Sequence, residues 1–148
     1  MNKEEYAERE RIQKEFEAKL VKEFPNLYRN MRGDPSKTCM AWGISVSPGW
    51  FDIIWELSQK LETMIQNIPE DKRPEYMAAQ VKEKFGGLRF YMEASTPEMN
   101  AFIKEAEDRC WDTCEQCGKP GQVVKAGWLY VSCKEHAKKE HQTQFEDT

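Results

Sequence analysis

Apolar positions in this chain recur first every fourth residue, then every second, then at helical spacing again, and these changes of period divide it into elements. Ile12, Phe16, Leu20 and Phe24 make one narrow stripe through a densely charged stretch. That pattern predicts an amphipathic helix over 2–24, ended by Pro25 and packed on the rest of the chain by its stripe. It is too short for the sustained heptads of a coiled coil. Residues 30–37 carry Gly33, Asp34 and Pro35 and read as a loop. From Cys39 to Val46 the side chains alternate, with Met40, Trp42, Ile44 and Val46 on one face, so a strand is expected over 39–46. Ser47-Pro48 is a helix start, with Ser as N-cap and Pro in the first turn. Phe51, Ile54, Leu57, Leu61, Met64, Ile65 and Ile68 give the helix over 49–68 a broad apolar face closed by Pro69.

Two further alternating segments, 76–85 and 88–94, flank Gly86-Gly87. A glycine pair there predicts a two-residue hairpin turn, because both central positions then take positive φ freely. The expected register sets Phe85 opposite Leu88, Lys84 opposite Arg89 and Lys82 opposite Tyr91, with Glu83 on the inward side. Thr96-Pro97 repeats the cap-and-proline start. Met99, Phe102, Ile103, Ala106 and Cys110 then stripe a helix over 97–112, which makes Cys110 a core residue. The fold class is therefore α+β: a small antiparallel sheet from 39–46, 76–85 and 88–94 packed by helices. The organisation is a charged helix at 1–24, a core at 25–112, a ribbon-like module at 113–136 and a polar tail at 137–148. That tail reads as a frayed helix running into disorder.

The module rests on the order Cys114-x2-Cys117-x15-Cys133-x2-His136. Each short pair brings two donors to one point, and the segment between the pairs, with Ala126-Gly127 at its tip, can form a hairpin. Three thiolates and one imidazole suit a tetrahedral Zn²⁺, as in a zinc ribbon. His141 is an alternative fourth ligand, but the Cys-x2-His spacing favours His136. Four protein donors leave no position for an activated water, so the expected Zn²⁺ is structural. The His-x-Glu order of zinc deaminases and the His-Glu-x2-His of metalloproteases are both absent.

Composition sharpens this in two places. A formal net charge of −4 argues against a general nucleic-acid coat protein. Five cysteines, an odd number, fit metal ligation in a reducing compartment better than a disulfide framework, and leave Cys39 and Cys110 as thiols. The acidic start of the chain does not resemble a signal peptide and no apolar run approaches a membrane span, so a soluble cytoplasmic protein is expected. Phosphate-binding, nucleophile-elbow and dinucleotide motifs do not occur.

The predicted hairpin contains one broken rule. Like charges directly across an antiparallel pair are destabilising, and Lys84 faces Arg89 in the expected register. An anion between them would turn repulsion into attraction, with Lys82 and Tyr91 as further donors and Gly86 and Gly87 giving close access to the backbone. Long cations can also simply splay apart in water at little cost. Lys119, Lys125, Lys134, Lys138 and Lys139 form a second local basic excess.

The run Val81-Lys82-Glu83-Lys84-Phe85-Gly86-Gly87-Leu88-Arg89-Phe90-Tyr91, followed by Thr113-Cys114-Glu115-Gln116-Cys117-Gly118, resembles a group of uncharacterised bacteriophage and prophage proteins. The segment from Met40 to Phe51 shares in that resemblance, which spans about residues 25 to 136. It implies phage origin, the cytoplasm of a host cell and a zinc knuckle, and brings no activity with it. The first expectation is a non-enzymatic phage accessory protein for host takeover or counter-defence, binding a host protein or an anionic nucleotide-like ligand. The second is a nucleic-acid-binding zinc-ribbon module, and the third an enzyme with an unrecognised site.

Overall fold

The computed structural model describes residues 1–146. Its three α-helices, α1 (Lys3–Glu23), α2 (Phe51–Gln66) and α3 (Pro97–Cys110), and two hairpins, β1 (Ala78–Lys84) with β2 (Gly87–Met92) and β3 (Gln122–Lys125) with β4 (Leu129–Ser132), make an α+β fold. Both sheets are two-stranded and antiparallel. Among the described residues no helix is long and apolar enough to cross a membrane.

One core joins nearly all of these elements. Leu20 of α1 and Phe24 just after it, Ile54, Leu57, Leu61 and Ile65 of α2, Val81, Leu88 and Phe90 of the first hairpin, and Met99 and Ile103 of α3 are all buried in it. The stripe on α1 behaves as its spacing predicts. Phe16 stacks on Phe51 at 4.0 Å between ring centroids, and Phe24 meets the edge of Trp55 at 4.8 Å. Thr96 caps α3 by accepting from the Met99 N–H at 3.2 Å. Ser47 does not cap α2; Pro48–Trp50 form a 3-10 turn that leads into the helix at Phe51.

The strand expected over 39–46 is absent. Cys39–Trp42 form a 3-10 helix capped by Thr38, whose hydroxyl accepts from the Met40 N–H at 3.1 Å. Gly43 then turns the chain at φ +72°, so the alternation of side chains does not come from extended backbone. Met40 and Ile44 are buried, but Trp42 stands in solvent. Only Ser45 joins the sheet, as a single parallel bridge to Lys82. Its N–H donates to Val81 O at 3.0 Å and its carbonyl accepts from the Glu83 N–H at 2.9 Å. On the other edge, the Phe90 N–H donates to the Glu107 carboxylate at 3.1 Å. Both edges of the hairpin thus have partners.

Two buried carboxylates tie the N-terminal half together, and neither is visible in the apolar pattern. Glu17, 4% exposed, accepts from Arg32 Nε at 2.9 Å and from the Ile44 N–H at 3.2 Å, holding α1 against the loop. Glu62 of α2, 3% exposed, accepts from the Asn26 N–H at 2.9 Å, Asn26 Nδ2 at 2.8 Å and the Leu27 N–H at 3.0 Å. It organises the turn by which the chain leaves α1. Glu62→Ala strands these donors, and a loss of about 2–4 kcal/mol is expected. A urea melt reads this as a lowered midpoint at unchanged slope.

The tail is ordered as far as the description reaches. Lys139–Gln144 form a 3-10 helix beside β3. The Gln144 carboxamide accepts from the Lys125 N–H at 3.0 Å and donates to Lys125 O at 2.8 Å. The disorder expected at the end of the chain is therefore absent up to residue 146, and the last two residues lie outside the described ones.

Candidate metal centre

Cys114 and Cys117 flank a tight turn that follows α3. The turn is closed by bonds from Cys114 N–H to Lys119 O at 2.8 Å and from Gly118 N–H to Cys114 O at 2.9 Å. Cys133 follows β4 directly, and the Ala137 N–H bonds back to Cys133 O at 3.1 Å, which curls His136 toward the first pair. The hairpin between the pairs runs as its sequence predicts, from Gln122↔Ser132 to Lys125↔Leu129.

The donor atoms of Cys114, Cys117, Cys133 and His136 all lie within 4.8 Å of one another. A tetrahedral ion held at about 2.3 Å by thiolates places sulfurs about 3.8 Å apart. Cys117 Sγ and Cys133 Sγ stand 3.8 Å apart, far beyond a disulfide bond. His136 Nδ1 lies 3.2 Å from Cys133 Sγ, which makes it the ring nitrogen facing the cluster. Among the described residues this is the one grouping of three or more such donors arranged to hold a metal ion. The first pair of thiols shifts in opposite directions: the Lys119 N–H lowers Cys117, but burial and the hydrogen bonds with Cys114 and Cys133 outweigh it and leave that thiol raised. Burial pushes the Cys114 thiol up, but the backbone N–H groups of Cys133, Cys117 and Gln116 outweigh it and bring the group down to about 7.

The two other cysteines and the other histidine take no part. Cys110 is buried in the core, and burial pushes its thiol up to about 12. Cys39 is exposed. The Nδ1 of His141 lies 2.6 Å from the Tyr130 hydroxyl, which employs it away from the cluster.

The knuckle does not hang free of the body, a feature its local motif does not reveal. The Gly49 N–H donates to Glu115 O at 2.7 Å, the Ser47 N–H donates to Glu115 Oε2 at 2.9 Å, and the Trp50 indole donates to Thr113 O at 2.9 Å. Arg9 of α1 donates to the Gln116 carboxamide and to Ser47 Oγ. Glu115 and Gln116, the two spacer residues of Cys-x2-Cys, therefore clamp α1 and the start of α2. Burial pushes the Glu115 carboxyl up, a rise reinforced by Glu83 and opposed by the Ser47 N–H.

The expected anion site is rearranged by the hairpin register. The turn is Phe85-Gly86, with φ of +53° and +90°, and not Gly86-Gly87. Pairing moves accordingly: Lys84 faces Gly87, Glu83 faces Leu88 and Lys82 faces Arg89. Glu83, on the inward side, accepts from the Gly86 N–H at 2.7 Å and so fixes the turn. Gly87 has no room for a ligand, since a Cβ there would stand 2.5 Å from the Trp111 indole. A Cβ on Gly86 would stand 3.1 Å from the carbonyl of Leu129 in the second hairpin. The like-charge pair survives with one member exchanged: Lys82 and Arg89 are direct neighbours, and Tyr91 follows on the same face. Neither cation forms an ion pair with a described carboxylate.

Comparison with protein-family models, with curated proteins and with solved structures returned no match for this chain.

Proposed function

We propose that this is a non-enzymatic, zinc-stapled binding protein, phage-encoded and acting as an accessory factor, that captures an anionic nucleotide-like ligand on its first hairpin. The observation that carries the reading is the cross-strand pair Lys82↔Arg89, two opposed cations with no carboxylate partner among the described residues. An anion seated between them relieves the repulsion and gains charge-assisted hydrogen bonds. Tyr91, on the same face and in solvent, adds a hydroxyl donor and a ring. Zinc is the metal that three thiolates and an imidazole select, and a filled tetrahedron gives it a scaffolding role. The zinc-ribbon-like module then serves to hold the body together while recognition falls to the hairpin.

The test is calorimetric titration of the metal-loaded protein with ATP and with inorganic phosphate. Lys82→Ala combined with Arg89→Ala is expected to remove binding while thermal stability stays the same or rises slightly. Equal affinity in the double variant would discard the hairpin site. About one equivalent of zinc per chain is expected by elemental analysis.

A further inference from the structure

Phe85 and Trp128 occupy the turns of the two hairpins, and both stand in solvent, 70% and 53% exposed. Phe85 holds φ +53°, a conformation that glycine, asparagine and aspartate reach with less strain. A large ring kept both strained and wet is a local rule broken without a gain in packing.

The two turns abut, since a Cβ on Gly86 would stand 3.1 Å from the Leu129 carbonyl. Counting backbone steps from that contact, the Cα atoms of Phe85 and Trp128 lie within about 14 Å of each other. Each ring carries its own ammonium: Lys84 Nζ is 5.6 Å from the centroid of Phe85, and Lys138 Nζ is 4.7 Å from that of Trp128. Neither ammonium pairs with a described carboxylate. Trp128 is braced from below. Tyr130 stacks beside it at 6.1 Å, and His141 meets it edge-on at 6.0 Å.

We infer that the abutting hairpin tips form a platform for single-stranded nucleic acid, on which bases stack against Phe85 and Trp128 while Lys84 and Lys138 take the adjoining phosphates. Every base has a π face, so such a surface is tolerant of sequence. The Cα separation corresponds to about four stacked nucleotides or fewer at a rise of 3.4 Å. A duplex offers these rings no free base faces, and an acidic peptide would use the ammoniums but leave both rings in water. The platform is independent of the Lys82–Arg89 pair, and the two can fail separately.

The experiment is fluorescence anisotropy of a labelled oligothymidylate of about twelve nucleotides, titrated at low salt with the full metal-loaded chain. Phe85→Ala and Trp128→Ala are each expected to weaken binding roughly five- to hundredfold, with metal content and melting temperature retained. Binding should fall with salt at a logarithmic slope of about −1.4, from two lysines on a single strand. A duplex of the same length should bind more weakly. No binding of the oligonucleotide, or a Phe85→Ala/Trp128→Ala double variant that binds as the parent does, would overturn the platform. So would equal competition by polyglutamate. If Lys82→Ala/Arg89→Ala abolishes oligonucleotide binding and the aromatic variants leave it intact, the site lies on the hairpin face: this inference fails and the previous reading stands.

Discussion

Cys133→Ser is expected to release the metal, unfold the module at 113–136 and loosen the N-terminal helix with it. A structural zinc contributes about 10–16 kcal/mol in small modules, which matches or exceeds the 5–15 kcal/mol by which whole domains are stable. The segment carrying the cluster contributes little to the core, with Val131 its one member there. Once the sulfurs are no longer held together, the turn at 114–118 is left to its backbone hydrogen bonds and to its contacts with the body. The disturbance should spread, because Glu115 and Gln116 are the residues that Gly49, Ser47 and Arg9 hold. Amide exchange gives the resolution needed: the Gly49 and Gly118 N–H groups should lose protection together, while the α2 interior keeps more of its own. Addition of a strong chelator to the parent protein should reproduce the pattern. A variant that keeps its metal, or a parent whose melting curve ignores the chelator, would show that the cluster does not staple this fold.

Gly49→Ala should produce the next largest effect, at a residue outside the cluster. A Cβ at this position would stand 2.1 Å from Cys114 O and 2.5 Å from Glu115 O, both of them backbone atoms that cannot swing aside. Either the knuckle or the start of α2 must shift, and the 2.7 Å bond from the Gly49 N–H to Glu115 O is lost or stretched. Overpacking of this kind costs about 3 kcal/mol at the upper end of its usual range. For a chain of this size that corresponds to a melting temperature lower by roughly 6–12 °C. Metal content should remain near that of the parent, which separates a damaged contact from a damaged cluster. An unchanged melting temperature would mean that this segment and the knuckle are not in register as described.

How far the sequence alone reaches depends on whether the deciding contacts are local. α2 and α3 were readable because their apolar faces lie within the elements themselves, as does Pro97 at the start of α3, whereas Pro48 sits in the 3-10 turn before α2. The metal cluster was readable for the same reason: each pair of donors is set by a turn of a few residues. The stretch 39–46 misleads because period two also arises when a 3-10 turn is followed by a positive-φ glycine. The register of the first hairpin could not be read from its turn. Gly86-Gly87 and Phe85-Gly86 are both permissible centres, and the choice is made by contacts from elsewhere, with Trp111 packed on Gly87 and Leu129 against Gly86. The alternating faces survive the change, so Lys82, Arg89 and Tyr91 remain together while Lys84 moves to the tip. Glu17 and Glu62 look like ordinary members of charged helical surfaces. Their burial depends on partners 15 to 36 residues away in sequence, at Arg32, Ile44 and Asn26, which no periodicity encodes.

The Gln144 side chain does for β3 what a neighbouring strand would do, offering one acceptor and one donor to the peptide groups of Lys125. A primary amide has the same pair of functions as a peptide bond, so it can stand in for one at a sheet border. That border is otherwise the place where a second polypeptide could add itself and begin fibrous association. Gln144, carried on the turn Lys139–Gln144, therefore covers that border, and replacing it should leave a fold with intact metal ligation but a sticky flank.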